Sequence, residues 1–195
     1  MRHSTKRFRE RGQSMVEFAL VIPILLTMVL AIAEFGVAFG TNMTLIEATR
    51  EGARVGAALG NGSASIGCVG ATGSASVDPQ IIAAVQRVIE SPGSGINKAN
   101  VDWIHIFQSD ASGGEVKYNE WKPGSGGTIC GVALDFKQGS VAWTADLRSS
   151  TLPVVSIGVR IQYRYTLYTP LSAITGLFGS GQITMVDSTV MAIEP

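Results

Sequence analysis

The sequence is poor in the residues that most often bind metals or carry out catalysis. Its 195 residues include two histidines and two cysteines. His3 lies near the N-terminus, so His105 is the single histidine of the remaining chain. Cys68 and Cys130 are too far apart in sequence to form a C-x-x-C pair for zinc or redox chemistry. We therefore expect no metal site and no cofactor, and a Ser-His-Asp triad has little support.

Motifs for nucleotide and nucleic-acid binding are also missing. The glycine-rich stretch 124–127 is not followed by the Gly-Lys of a P-loop, and no G-x-G-x-x-G joins a predicted strand to a helix. Arginines and tyrosines alternate over residues 160–165, so a strand would place them on opposite faces, which disfavours base stacking. The sequence predicts no catalytic residues, although a hydrolase that uses Asp110 or His105 stays open as a third hypothesis.

Charge is balanced over the whole chain but unevenly distributed. Fifteen Lys and Arg residues match fifteen Asp and Glu residues. Five of the basic residues lie within the first twelve positions, beside the single acid Glu10, and the rest of the chain is acidic. The overall charge therefore offers no field that would steer the protein toward nucleic acid.

A long apolar segment follows the basic N-terminus. Residues 18–33 contain no charged side chain, and apolar character resumes after Glu34. The 25 residues from Met15 to Phe39 are enough for a helix to cross a hydrocarbon core of about 30 Å. Because the basic residues lie almost entirely on the N-terminal side, we expect that side to stay in the cytoplasm and the C-terminal part to be exported.

A cleaved secretory signal is the alternative interpretation of this segment. Its apolar run is longer than the usual signal-peptide core of about 7–15 residues. Residues 34–40, which follow the run, lack a clear A-x-A cleavage pattern. We therefore expect the helix to be retained as an anchor.

A short motif at the start of the apolar segment resembles the processing site of type IV prepilins. Gly12 is followed by Gln13, and Glu17 lies five residues after the glycine and directly before Phe18. The resemblance implies that a prepilin peptidase cleaves between Gly12 and Gln13. Glycine has no Cβ to crowd the scissile bond, and the basic leader would hold that bond at the cytoplasmic face.

Three further stretches extend this resemblance to the N-terminal domain of the TadE-like family. They are residues 17–23, 34–36 and 48–58, and with the processing motif they cover roughly residues 11–59. Each stretch alone is a weak match, whereas their joint order is specific. The resemblance implies a membrane-anchored TadE-like pseudopilin that acts in biogenesis of a tight-adherence (Flp-type) pilus or a related secretion assembly.

The resemblance also implies a location and partners. The protein would be a single-pass protein of the bacterial inner membrane, with a cytoplasmic N-terminus and a periplasmic or extracellular C-terminal domain. Its partners would be the prepilin peptidase, pilin and pseudopilin subunits, the inner-membrane pilus assembly machinery and membrane lipid, but no nucleic acid. Glu17, beside Phe18, would pair in low dielectric with the amino terminus of a neighbouring subunit during helix assembly. The runner-up hypothesis is an unprocessed single-pass envelope binding protein.

The segment directly after the predicted span has two interpretations. Residues 42–59 have a helical composition, and small side chains keep one side of this helix thin. These residues are Ala48, Gly52, Ala53, Gly56 and Ala57. The thin side would allow close approach either to a helix of another subunit or to the C-terminal domain of the same chain (77–195), which we call the head.

The C-terminal part predicts an α+β domain. Asp78 and Pro79 are typical of an N-cap and the first position of a helix, and an apolar helical face follows. Several β-prone segments come next, the clearest at 154–168 and 183–193. We therefore expect a long N-terminal transmembrane helix and a small extracytoplasmic domain in which an antiparallel sheet packs on a helix. The predicted domains are a cytoplasmic prepilin-like leader (1–12), a TadE-like transmembrane and stalk helix (13–59), a Gly/Ser-rich linker (60–76) and an extracytoplasmic α+β domain (77–195).

The two cysteines are predicted to form a disulfide. Both follow the predicted span, so an oxidising compartment would favour a disulfide between Cys68 and Cys130 over two unlinked core residues. We expect this bridge to stabilise the exported domain by about 2–4 kcal/mol in the chain-entropy model. Free thiols are blocked in envelope preparations before reduction, and the intact protein is weighed. Two alkylated cysteines in the unreduced sample would rule the bridge out.

Overall fold

A computed structural model of the chain describes residues 6–60, 74–148, 155–169 and 181–193. Most of the predicted linker, including Cys68, lies outside the described residues. The helices are α1 (Lys6–Leu59) and α2 (Val77–Ile89), and the strands are β1 (Val101–Ser109), β2 (Glu115–Pro123), β3 (Thr128–Ile129), β4 (Val132–Ala133), β5 (Phe136–Val141), β6 (Ser156–Thr166) and β7 (Gln182–Ala192). A long apolar helix, a short helix and an antiparallel sheet confirm the predicted α+β class.

Helix α1 is continuous over 54 residues. Pro23 lies inside it and does not end it, as the tolerance of apolar helices for proline allows. The helix ends at Leu59. Gly60 follows it with a positive φ of 52°, which suits the position after a helix, and its N–H donates to the carbonyl oxygen of Gly56 at 3.1 Å. The structure therefore confirms that the helix continues beyond the predicted span.

The chain divides into two compact units. The first contains Met1–Ala38 and Thr166–Gln182, and the second contains Phe39–Tyr165 and Ile183–Pro195. The boundary falls inside α1, so the part of the helix from Phe39 onward packs as an element of the second unit.

The sheet of the second unit has five strands in the order β5-β2-β1-β6-β7. β1 pairs antiparallel with both β2 and β6, and β2 pairs antiparallel with β5. Along β6, Ile161, Tyr163 and Tyr165 are buried whereas Arg164 is exposed. This confirms the predicted polar face over an aromatic core. β3 and β4 form a separate two-stranded hairpin, because they pair antiparallel with each other.

The small residues of α1 pack against the head of the same chain. A Cβ added to Gly52 would lie 2.6 Å from a methyl carbon of Val85 in α2, and one added to Gly56 would lie 2.8 Å from Ile157 in β6. Ala48, Ala53 and Ala57 are buried as well. Within the described residues, the thin side of the helix therefore serves packing on its own head, the second of the two interpretations.

The start of α2 corrects one expectation. The helix begins at Val77 with Ser76 at the N-cap position, so Asp78 lies in the first turn and is not the cap. Its carboxylate instead meets Arg148, whose Nη2 lies 2.6 Å from Asp78 Oδ1, and Asn119, whose Nδ2 donates to Oδ2 at 2.6 Å. Tertiary partners with a long sequence separation thus take the side chain away from local capping.

The buried network around Asp78 connects α2 to β2 and to the residues that follow β5. Asn119 Oδ1 accepts hydrogen bonds from the backbone N–H groups of Ala142 and Trp143 at 3.0 and 2.8 Å. The Arg148 guanidinium lies 4.5 Å from the centre of the Trp143 ring, and its side chain is fully buried. Because both ions are out of water, each depends on the other for compensation.

We predict that Arg148→Ala destabilises the second unit by about 3–5 kcal/mol, because it leaves the Asp78 carboxylate buried without its cation. The matched control is Arg164→Ala, which breaks a half-exposed pair with Asp102 and should cost less than about 1 kcal/mol. Denaturant unfolding of the full chain in detergent, followed by tryptophan fluorescence, measures both. Equal small losses for the two variants would contradict this role for the buried pair.

Candidate functional site

The first half of α1 exposes almost all of its large apolar side chains. From Met15 to Phe39 the exposed fractions of these side chains run from 44% to 77%. Within the described residues, α1 is the one helix long and apolar enough to cross a membrane. A contiguous apolar surface of this extent is unfavourable in water, so lipid or other apolar helices must cover it. Such an N-terminal helix suggests a membrane-anchored protein.

The predicted processing and assembly residues lie at the start of this surface. Gly12 is part of the helical backbone of α1. Gln13 Nε2 donates to Glu17 Oε1 at 3.2 Å, one helical turn along, and both side chains are exposed. Phe18 is 67% exposed. Glu17 and Phe18 are therefore accessible to a neighbouring molecule, while cleavage after Gly12 and the intersubunit pair stay predictions.

A second carboxylate of α1 has the opposite environment. Glu34 is 5% exposed, although Ile32 and Phe35 beside it are 71% and 77% exposed. Its two carboxylate oxygens accept hydrogen bonds from the backbone N–H groups of Tyr168 at 3.0 Å and Thr169 at 2.8 Å. All of these residues belong to the first unit. The charge is thus satisfied by a segment 134 residues away in sequence.

Sequence reasoning missed this contact and used Glu34 only as part of the family resemblance. The available signal was a lone carboxylate within an apolar segment, which normally requires a partner or a position near the interface. That signal identifies a residue that needs compensation. It does not identify backbone amides as the partner.

A polar cluster covers the outer face of the sheet around His105. The His105 ring stacks between Trp103 and Tyr118, with ring centres 3.8 and 4.1 Å away. Its Nδ1 lies 2.9 Å from Glu115 Oε1, and its Nε2 lies 3.8 Å from Glu120 Oε2. The sequence does not show these partners of His105, because hairpin and cross-strand register bring the two carboxylates to it.

Arginine completes this cluster. Arg160 on β6 is the register partner of His105 on β1, and its Nη1 donates to Glu115 Oε2 at 2.9 Å. Each oxygen of Glu115 thus has its own partner. These side chains connect three neighbouring strands, although they lie up to 55 positions apart in sequence.

Asp110 closes the turn between β1 and β2. Its Oδ1 accepts hydrogen bonds from the backbone N–H and the hydroxyl of Ser112 at 2.8 and 2.7 Å, and from the N–H of Gly114 at 2.7 Å. The Ser112 hydroxyl is the largest cause that lowers the pKa of the Asp110 carboxyl, followed by the two backbone donors. This carboxylate is occupied by its own turn.

The predicted disulfide is described at one end. Cys130, in the turn between β3 and β4, has a positive φ of 55° and is disulfide-bonded. Its predicted partner, Cys68, lies outside the described residues, so the pairing itself stays a prediction. In the described parts of the chain, no group of three His, Cys, Asp or Glu residues could hold a metal ion.

Comparison with known proteins gives a match to helix α1. Residues 12–54 match the family model described as TadE-like protein. The match confirms the resemblance predicted from the motifs, and it includes Gln13, Glu17 and Glu34 but none of the sheet. No curated protein and no solved structure matches the chain.

Proposed function

We propose that this chain is a membrane-anchored TadE-like pseudopilin that acts in biogenesis of a tight-adherence (Flp-type) pilus or a related secretion assembly. One observation carries the proposal: the family match at residues 12–54 coincides with the helix whose apolar side chains are exposed from Met15 to Phe39. That surface needs a non-aqueous environment, and pilin-like helices or lipid would supply it.

In this proposal α1 anchors the protein in the bacterial inner membrane as a single span. The basic residues before Gly12 keep the N-terminus in the cytoplasm, so the part of the chain that follows the span is periplasmic or extracellular. The prepilin peptidase then removes residues 1–12. Gly12 lies only seven residues into α1, and helix termini open at little free-energy cost, so the scissile bond can become extended for cleavage.

Assembly follows from the surface of the mature helix. Its apolar side chains exchange contacts with lipid for contacts with the helices of pilin and pseudopilin subunits. Glu17 is exposed on that surface, and there it pairs with the new amino terminus of a neighbouring subunit. In low dielectric an unpaired charge is costly, so the pair favours one register between neighbouring helices.

We propose further that the head is not catalytic and uses no cofactor. Asp110 and His105 are the two residues that a hydrolase would use, and both have partners within the head. Three hydrogen bonds from its own turn hold Asp110, and two rings and Glu115 hold His105. These contacts favour structural roles, and the head then offers a surface for the inner-membrane assembly machinery.

Co-expression with the cognate prepilin peptidase should produce a membrane-retained protein that begins at Gln13. Gly12→Leu should block the cut, because its side chain crowds the backbone at the scissile bond. Membrane insertion should persist in this variant, since the apolar segment and its flanking charges are unchanged. Intact mass and N-terminal sequencing measure both outcomes. A mature protein that still begins at Met1 beside an active peptidase would favour the unprocessed envelope binding protein.

Glu17→Ala should separate processing from assembly. The variant keeps Gly12 and is cleaved, but it leaves a neighbour's amino terminus unpaired, at a cost of about 3–5 kcal/mol in low dielectric. Association with pilin subunits should therefore weaken at least about a hundredfold. Glu47→Ala, which removes an exposed carboxylate from the same helix, is the matched control and should assemble normally. Equal assembly of the two variants would contradict the role of Glu17.

A further inference from the structure

The contact between Glu34 and the segment that follows β6 is a two-point attachment. Both oxygens of one carboxylate accept backbone N–H groups from consecutive residues, Tyr168 and Thr169. We call these three residues the Glu34 clasp. Two bonds to adjacent amides fix the orientation of the segment as well as its position, and bonds to a charged acceptor are stronger than neutral ones.

The clasp lies on an otherwise apolar stretch of helix. Ile32 and Phe35 on either side of Glu34 are largely exposed, so the burial of Glu34 is local. A carboxylate in such a stretch is costly unless its acceptors are satisfied. Because the donors are backbone groups, the contact needs no particular side chain at Tyr168, whose own side chain is 67% exposed.

The position of Glu34 along α1 sets the height of the clasp. At the rise of an α-helix, Glu34 lies about 28 Å from Met15 and about 24 Å from Phe18. A hydrocarbon core of about 30 Å that begins at either residue therefore ends within about 6 Å of Glu34. The clasp then lies at the far edge of the core, where the headgroups begin.

We propose that the Glu34 clasp holds Tyr168 in the headgroup zone of the bilayer, so that Tyr168 is a second membrane contact beside the spanning helix. This rests on the membrane span of the proposed function, and it does not depend on processing or on pilus assembly. Tyrosine suits the location, because its ring favours the edge of the core and its hydroxyl favours water and headgroups. The partner is phospholipid.

The test uses the full chain in vesicles of phosphatidylcholine and phosphatidylglycerol at three to one. A benzophenone-bearing phenylalanine replaces Tyr168, which leaves the backbone donors of the clasp in place. After illumination, intact mass reports covalent phospholipid adducts. Hydrogen–deuterium exchange of the peptide that contains Tyr168 and Thr169 reports the clasp itself. The same photoreactive residue at Leu26, in the middle of the span, reports insertion.

We expect a phospholipid adduct at position 168 and slow exchange of the two amides. Glu34→Ala should raise the exchange rate of these amides at least about tenfold, because it removes both acceptors. It should also reduce the lipid adduct at position 168 severalfold while the adduct at Leu26 is unchanged. Glu34→Gln, which keeps one carbonyl acceptor, should fall between. Glu47→Ala removes an exposed acid from the same helix and should change neither readout.

Three outcomes would overturn the proposal. Slow exchange without a lipid adduct at position 168 would show a clasp that faces water or protein. A lipid adduct that survives Glu34→Ala at full yield would show that the clasp does not position Tyr168. Absence of a lipid adduct at Leu26 in the otherwise unchanged chain would show that α1 does not span the bilayer. Failure of cleavage after Gly12, with both readouts intact, would remove the pseudopilin function and leave the membrane contact standing.

Discussion

The apolar surface of α1 between Met15 and Phe39 is the constraint on which the rest of the molecule depends. The described side chains leave it exposed, and water is a poor environment for it. Everything that interrupts this surface must therefore be compensated. Glu17 lies at the N-terminal end of this surface and accepts a hydrogen bond from Gln13, and both carboxylate oxygens of Glu34 accept hydrogen bonds from backbone N–H groups. The two acids of the segment thus solve one electrostatic problem in different ways.

The same helix changes its role at Phe39. Beyond that residue its small side chains face Val85, Val159, Ile81 and Ile157, and the close approach leaves no room for larger ones. Thr49 adds a polar contact, since its hydroxyl donates to Asp187 at 2.5 Å. One continuous helix therefore has an exposed apolar surface in its first half and a closely packed surface in its second half.

The features that are periodic or local in sequence could be predicted. The length and apolar character of the first part of α1, the continuation of the helix, the alternation of β6 and the α+β class follow from residues within one element. The motif formed by Gly12, Gln13 and Glu17 is local as well, and it indicated the resemblance that the family match bears out. Cleavage after Gly12 stays a prediction.

The features that depend on long-range register could not be predicted. Asp78 reads as a helix cap until Arg148 and Asn119 reach it. The sequence shows no partner for His105, whereas strand pairing places Glu120 and Arg160 beside it. The sequence indicates that Glu34 requires a partner, but it does not indicate which residues supply one. In each case a polar side chain contacts a residue that is distant in sequence, and such a contact forms only in the complete fold.

The central claim is that the exposed start of α1 is an assembly surface for pilin-like helices. The most direct measurement places a photoreactive residue at Phe18 in cells that are assembling pili and identifies the molecules to which it becomes attached. We predict covalent attachment to pilin or pseudopilin subunits of the assembly through their N-terminal helices. Attachment to phospholipid alone, in cells whose pili are complete, would contradict the claim.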